Sequence, residues 1–147
     1  MTDFNSIIEK ASIILLVDWP DRNVPQSLVL SGLTVYSYSP NGYSQVFIEK
    51  DHPGNQDEDS KSFSTAGVEV NNLNFRPVDH PPNAVDIVTI YRPAKEHAEI
   101  IAKHVLPLGA KIVWLQPPVE STETERMAKE NGLIFIQGRD IREIIIH

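Results

Sequence analysis

Cysteine is absent from the 147-residue sequence. Disulfides, thiolate zinc sites and a cysteine nucleophile are thereby excluded, while the redox compartment stays open. Cations are scarce: 13 Lys and Arg stand against 20 Asp and Glu, a net charge of −7. Phosphate backbones are held by many cations, so no nucleic-acid partner is expected, although a local pocket for one small anion is still allowed. No apolar run approaches the roughly 18 to 20 residues of a membrane span, and no membrane partner is expected. The first residues, Met1-Thr2-Asp3-Phe4-Asn5-Ser6, put no basic residue ahead of an apolar core. With no secretory signal visible, a cytoplasmic location is expected. Also missing are a G-x-S-x-G elbow, an H-E-x-x-H pair and a P-loop, which leaves a hydrolase triad and an NTPase site without support.

Metal chemistry finds little to work with. Two Asp-His-Pro triplets, Asp51-His52-Pro53 and Asp79-His80-Pro81, fall in connectors with no third ligand at useful spacing. His97 and His104 are two helical turns apart and read as surface residues, and no metal is expected. The acidic run Asp57-Glu58-Asp59 lacks the glycine and spaced carboxylates of a calcium loop and reads as solvated.

What is present is the pattern of one soluble domain over residues 1–147, with 41% hydrophobic and 22% charged residues. Its focus is Ala11-Ser-Ile-Ile-Leu-Leu-Val-Asp18, whose five consecutive apolar residues predict a strand buried on both faces. Helical spacing follows at Val24, Leu28 and Val29, with Pro20 and Pro25 near the start and Ser31-Gly32 closing the helix. A strand, a tight turn and a helix make the first half of a βαβ unit, and function is expected in the turn from Asp18 to Asn23, where helix N–H groups face outward. Ahead of this unit, Phe4, Ile7, Ile8 and Ala11 mark a short amphipathic helix.

A second strand is predicted over 33–38, ended by the turn Ser39-Pro40-Asn41-Gly42. Residues 43–50 and 68–75 then alternate as a hairpin around a polar tip, an insertion of about 43–75 in the βα alternation, and 76–83 is an extended connector. Order resumes with a strand at 85–90 and a helix with inner face Ala94, Ala98, Ile101, Ala102 and Val105. A strand at 111–115 follows, then a helix capped by Thr122 with Glu125 that turns Met127 and Ala128 inward. Gly132, a strand at 133–136 and a short helix capped by Asp140 with Glu143 complete the chain. The fold class is α/β, Rossmann-like and doubly wound, with a mostly parallel sheet carrying an inserted β-hairpin.

Ligands of such sheets bind beyond the carboxyl ends of the strands. Those turns are Asp18 to Asn23, Ser39 to Asn41, Tyr91 to Pro93, Gln116 to Pro118 and Gly138 to Asp140. They hold Arg22, Arg92 and Arg139, with Lys95 one helical turn in, which can form a phosphate pocket or can each pair with an acid such as Asp18, Asp21 or Asp140. Trp19 and Tyr91 offer faces for an adenine ring. Trp19, in a turn, is expected to be partly exposed, and Trp114, inside a strand, is expected in the core.

Val85-Asp-Ile-Val-Thr-Ile-Tyr-Arg-Pro93, Leu108-Gly-Ala-Lys-Ile-Val-Trp-Leu-Gln116 and Asn131-Gly-Leu-Ile-Phe-Ile136 resemble the CoA-binding Rossmann domain family. It includes small stand-alone bacterial proteins, and the nucleotide-binding domain of the succinyl-CoA ligase alpha subunit is related to it. The resemblance implies CoA as cofactor, with its pyrophosphate and adenosine at Asp18, Trp19, Pro20, Asp21, Arg22 and Asn23, at Ser39, Pro40 and Asn41, at Tyr91 and Arg92, and at Gln116. The chain departs from the family pattern in three places. Asp18-Trp19-Pro20 stands where the family has a longer loop with glycine and serine, Asp140 where it commonly has cysteine, and Pro118 where it has glycine. A carboxylate at the first position repels phosphate. The stretch Asp18 to Pro25 also looks like a variant found in one branch of the family.

Three functions are therefore expected in descending order. The first is non-catalytic, regulatory or carrier binding of CoA, acyl-CoA or a related adenine nucleotide. The second is a scaffold that acts through protein contacts, with homo-oligomerisation left open. The third, an NAD(P)-dependent oxidoreductase, is disfavoured because Ser37 to Asn41 contain no acid to hold a ribose hydroxyl.

Overall fold

The computed structural model describes residues 9–49 and 72–145. The tip at 51–67, with Asp51-His52-Pro53 and Asp57-Glu58-Asp59, lies outside the described residues, as does most of the amphipathic helix expected at 3–10; of that helix only Glu9 and Lys10 are described, and both are helical. The strands are β1 (Ile13–Val17), β2 (Thr34–Ser39), β3 (Gly42–Glu49), β4 (Asn72–Pro77), β5 (Ile87–Ile90), β6 (Ile112–Leu115) and β7 (Ile134–Ile136). Helix α1 is Asn23–Leu30 and α3 is Thr122–Glu130. Between them α2 runs from a 3-10 turn (Ala94–Glu96) through an α segment (His97–Ile100) into a π segment (Ile101–Val105).

The seven strands of the described residues form one sheet in the order β4-β3-β2-β1-β5-β6-β7. β2, β1, β5, β6 and β7 are parallel, and β3 and β4 extend the β2 side as antiparallel strands. This is the expected mostly parallel, doubly wound architecture with an added hairpin. β1 occupies the centre because Ile14 to Val17 are apolar on both faces: Ile14 and Leu16 pack with α1, while Leu15 and Val17 pack with α2. Alternation of side chains along the strand thus divides one apolar run between two core layers.

The start of β1 is fixed by a carboxylate. Asp86, just ahead of β5, accepts the Ser12 and Ile13 N–H groups on one oxygen, both at 2.9 Å. The first strand is thereby set in register against its parallel neighbour, with Ile14 opposite Ile87. The hairpin pairs Val46 with Phe75 and Ser44 with Pro77. Its second strand continues past the expected 75 because Pro77 sits on an edge, where its missing N–H costs no ladder bond.

Two local expectations are corrected. The inner face of α2 is His97, Ile100, Ile101, His104 and Val105, whereas Ala94, Ala98 and Ala102 are exposed. The buried set recurs at ideal helical spacing once histidine is counted as a core residue. The cap of α3 is Ser121, whose Oγ accepts the Thr124 N–H at 3.0 Å, one position earlier than Thr122 with Glu125. At the last turn the Asp140–Glu143 reading holds: the Asp140 N–H donates to Glu143 Oε2 at 3.3 Å and the Arg142 N–H to Asp140 Oδ1 at 2.8 Å. Trp114 is a core residue, 1% exposed, and its Nε1–H donates to the Arg139 carbonyl at 2.7 Å.

The Asp86 clamp is testable by substitution. Asp86→Ala leaves two strand-end N–H groups without their acceptor and should cost about 1–3 kcal/mol, read as a lower urea midpoint and a melting point reduced by several degrees. Asp86→Asn, which keeps an acceptor oxygen, should lose less.

Candidate functional site

Because five parallel strands run in one direction, the five turns picked out from the sequence lie along one rim, at the carboxyl ends of β2, β1, β5, β6 and β7. They do not converge on one site. A cleft of about 350 Å³ opens over β2, β1 and β5. Its wall is Val17, Asp18 and Trp19 after β1; Tyr38, Ser39 and Pro40 after β2; Arg92 after β5; and Glu96, Glu99, Ile100, Lys103 and His104 on α2.

The centre of this wall is a charge cluster. Arg92 donates to both oxygens of Glu96, each at 2.8 Å, and to Asp18 Oδ2 at 3.0 Å. The Glu96 hydrogen bonds and those of Asp18 make the guanidinium hold its proton even more firmly than usual, and the same bonds draw the Glu96 carboxyl below its ordinary range. Lys103 is bonded to Glu99 at 2.8 Å, which lowers the Glu99 carboxyl and raises the lysine. Both cations of the cleft wall are thus engaged by the protein's own carboxylates. Each pair is exposed enough to be exchanged for another partner at modest cost.

Asp18 has an unusual backbone, with φ of +72°. Aspartate tolerates this left-handed conformation because its short side chain can satisfy a nearby N–H; here Oδ1 accepts the Trp19 N–H at 2.9 Å. Trp19 itself is half-buried, as expected, and one face of its ring is covered by Phe75 of β4, stacked at 5.2 Å and 6°.

The remaining site candidates lie elsewhere on the rim. Pro20, Asp21, Arg22 and Asn23 are exposed at the start of α1, and Asp21 Oδ1 accepts the Asn23 N–H at 2.9 Å. The Arg22 side chain makes no hydrogen bond or ion pair among the described residues, while its carbonyl accepts the Gln26 N–H at 3.1 Å. Asn41 is exposed in the β2–β3 turn, its N–H on Ser39 Oγ at 3.3 Å. Tyr91 continues the β5–β1 ladder through its N–H to the Val17 carbonyl at 3.0 Å, and its ring is not in the cleft wall. Gln116 is 2% exposed and accepts the Ile141 N–H at 2.8 Å, holding the C-terminal turn. Arg139 is bonded to Glu143 at 3.1 Å. Nearby Arg142 reaches Asn23 and grips Asp140, whose carboxyl its hydrogen bonds pull down to about 2. The three arginines of the expected phosphate pocket are therefore dispersed. Arg92 is in the cleft and Arg139 is held to the C-terminal turn, while Arg22 heads the helix on the sheet's other face.

Both helical histidines correct the surface reading. His97 is 0% exposed, with Nε2 at 2.8 Å from the Arg92 carbonyl and Nδ1 at 2.7 Å from the Thr124 hydroxyl. A carbonyl can only accept, so Nε2 carries the proton, and burial keeps the ring neutral by lowering its affinity for a second one. The backbone of Arg92 is thereby tied to the cap of α3. His104 is 6% exposed, with Nδ1 at 2.5 Å from the Tyr43 hydroxyl and its ring 4.1 Å from that of Tyr38. Burial first, and Lys103 second, keep it neutral. Glu96, Glu99, Lys103 and His104 were not recognised as wall residues from the sequence. Their signal is the recurrence i, i+3, i+7, i+8 on the helix that leaves the β5 turn.

No described helix is long and apolar enough to cross a membrane, and no cluster of three or more His, Asp or Glu able to hold a metal occurs among the described residues. A doubly wound α/β sheet with its cleft across the carboxyl ends of the central strands defines a Rossmann-like protein. The chain belongs to the CoA binding domain family, whose model matches residues 18–141. It is similar in structure to Prb, a protein redesigned for binding, with a TM-score of 0.63 and 19% identity over 95% of this chain and 85% of that one. A Thermus thermophilus protein gives 0.61 and 19% over 95% and 91%, and a conserved hypothetical protein from Pyrococcus furiosus gives 0.55 and 22% over 90% and 97%. At these identities the likeness shows the fold alone. No curated protein matches the sequence.

The two neutral histidines generate a pH dependence. In the unfolded chain each imidazole takes up a proton as pH falls through about 6.5, whereas the folded protein keeps both neutral to lower pH. The unfolded state then binds more protons, so stability should fall as pH drops below about 6.5, by up to roughly 1.4 kcal/mol per pH unit for each histidine. Urea midpoints from pH 7.5 to 5 should show this slope, and His97→Asn should reduce it to the part that His104 contributes.

Proposed function

We propose that the cleft binds CoA, an acyl-CoA or a related adenine nucleotide, and that the chain, acting as a single domain, serves a regulatory or carrier role without chemistry of its own. One observation carries the reading. In a chain of the CoA binding domain family, the cleft opens beside β1, where the strand order turns from β1-β2 on one side to β1-β5 on the other, the place where open α/β sheets receive ligands. Its volume of about 350 Å³ lies within the range of small-molecule sites. The proposed contacts are Asp18, Trp19, Ser39, Pro40 and Arg92 in the wall, with Pro20, Asp21, Arg22, Asn23, Asn41 and Tyr91 further along the same rim.

The donor set fits the uncharged parts of such a ligand better than its phosphates. Three carboxylates, Asp18, Glu96 and Glu99, face two cations in the wall, and Asp21 caps the first free N–H of α1. A phosphate approaching Arg92 meets a guanidinium with three of its five N–H donors already bonded to Asp18 and Glu96, whose charges oppose it. The same feature favours a second reading, a family scaffold that acts through protein contacts, because a cleft that neutralises its own cations is complete without an anion.

Calorimetry and melting curves with CoA, acetyl-CoA, ATP and NAD separate the two readings. Binding of CoA or acetyl-CoA should raise stability by about 2.7 kcal/mol at a concentration 100 times the dissociation constant, while NAD should produce little shift. Asp18→Asn, which keeps the turn's hydrogen bond to Trp19 but removes the charge competing for Arg92, should tighten CoA binding several-fold. No shift with any of the four ligands would favour the scaffold.

A further inference from the structure

Beside the charge cluster, the cleft wall holds a buried residue whose hydrogen-bonding capacity is half used. His104 is nine-tenths buried, lines the cleft, and spends Nδ1 on the Tyr43 hydroxyl at 2.5 Å; no described residue bonds to its Nε2. Tyr43 is itself fixed by the sheet, opposite Tyr38 in the β2–β3 pairing, and lies outside the wall. Tyr43 keeps its proton, because burial and the neighbouring Tyr38 raise its ionisation above the ordinary value. Where the phenol donates to Nδ1, the neutral imidazole carries its hydrogen on Nε2, the ring nitrogen that faces no described partner. The Tyr38 ring, 4.1 Å from the imidazole, restrains it from the other side.

We propose that His104 is a ligand-binding residue of the cleft, its Nε2–H held as a fixed neutral donor for an uncharged oxygen acceptor of the amide or thioester carbonyl class. The inference rests on the cleft being the ligand site and says which part of the ligand lies where. A carbonyl is favoured over a phosphate for three reasons. The donor is uncharged. The neighbouring cation Lys103 is bonded to Glu99. The adjoining surface is the apolar side of Ile100, Val17 and the Tyr38 ring. A CoA-type ligand carries two amide carbonyls in its pantetheine arm, and an acyl-CoA adds the thioester. The arm is accordingly assigned to the α2 side of the cleft, and the phosphates to the Arg92 side.

The test compares CoA with ADP, which has the diphosphate but no pantetheine arm, on the full chain by calorimetry. His104→Phe keeps a ring against Tyr38 and removes the donor, and Tyr43→Phe keeps the donor residue but frees its tautomer. Melting curves establish that each variant is folded, and nitrogen NMR of the imidazole reads the tautomer directly. The expected result is Nε2–H in the wild type and a tautomer mixture in Tyr43→Phe. CoA affinity should fall about tenfold in His104→Phe and by less in Tyr43→Phe, with ADP affinity unchanged in both. Equal CoA affinity in wild type and His104→Phe overturns the proposal while leaving CoA binding in place, as does a wild-type imidazole protonated at Nδ1. Parallel losses for CoA and ADP assign His104 to the phosphates and overturn it too. Absence of CoA binding by the wild type removes the reading of the cleft and this inference together.

Discussion

Burial of β1 on both faces is the constraint from which the other features follow. Ile14, Leu15 and Leu16 are inaccessible to water, and each contributes roughly 1.5–3 kcal/mol through that burial. A strand so placed needs parallel neighbours on both sides and helices above and below. β2 and β5 fill the first requirement, and α1 and α2 the second. The winding direction must then reverse at β1, and the chain leaves the sheet there through Asp18, at the head of the cleft.

The cleft that results is self-neutralised. A guanidinium with three hydrogen bonds to two carboxylates and an ammonium paired one turn along its own helix make a polar surface with little net attraction for either sign of charge. Selection in such a site comes from geometry and from exchange of partners. The backbone around Arg92 is kept in place independently of its side chain, since its carbonyl is bound to His97 and His97 to the cap of α3. The guanidinium can change partners while its main chain stays where it is.

Most of the architecture could be read from apolar periodicity, because β1, β5 and β6 are buried on both faces and nothing in their sequence competes with that pattern. The five turns followed from strand order, and all of them fall on one rim. What could not be read was which faces of the helices would look into the rim. His97 and His104 were placed outside because imidazole is polar, yet each is buried by a specific partner distant in sequence, Thr124 and Tyr43. Gln116 sits at a strand end, where it was expected to face a ligand, and instead is buried against the C-terminal turn, where it holds the Ile141 N–H. Strand order brings turns together along a line, and the helices divide that line between two sides of the sheet.

The winding of α2 carries a further consequence. Between Ile101 and Val105 the helix is of the π type, with the Leu106 N–H reaching back five residues to the Ile101 carbonyl at 3.0 Å. Such a segment holds one residue more than ordinary winding would over the same rise. Removing a single residue from it would let the helix relax to ordinary winding, with Glu96, Glu99 and Ile100 kept on the same side of the axis relative to the residues that follow. Point changes at the exposed Ala98 or Ala102 should be harmless, and deletion of Ala102 would remove the extra residue while the wall residues ahead of it keep their place over the cleft.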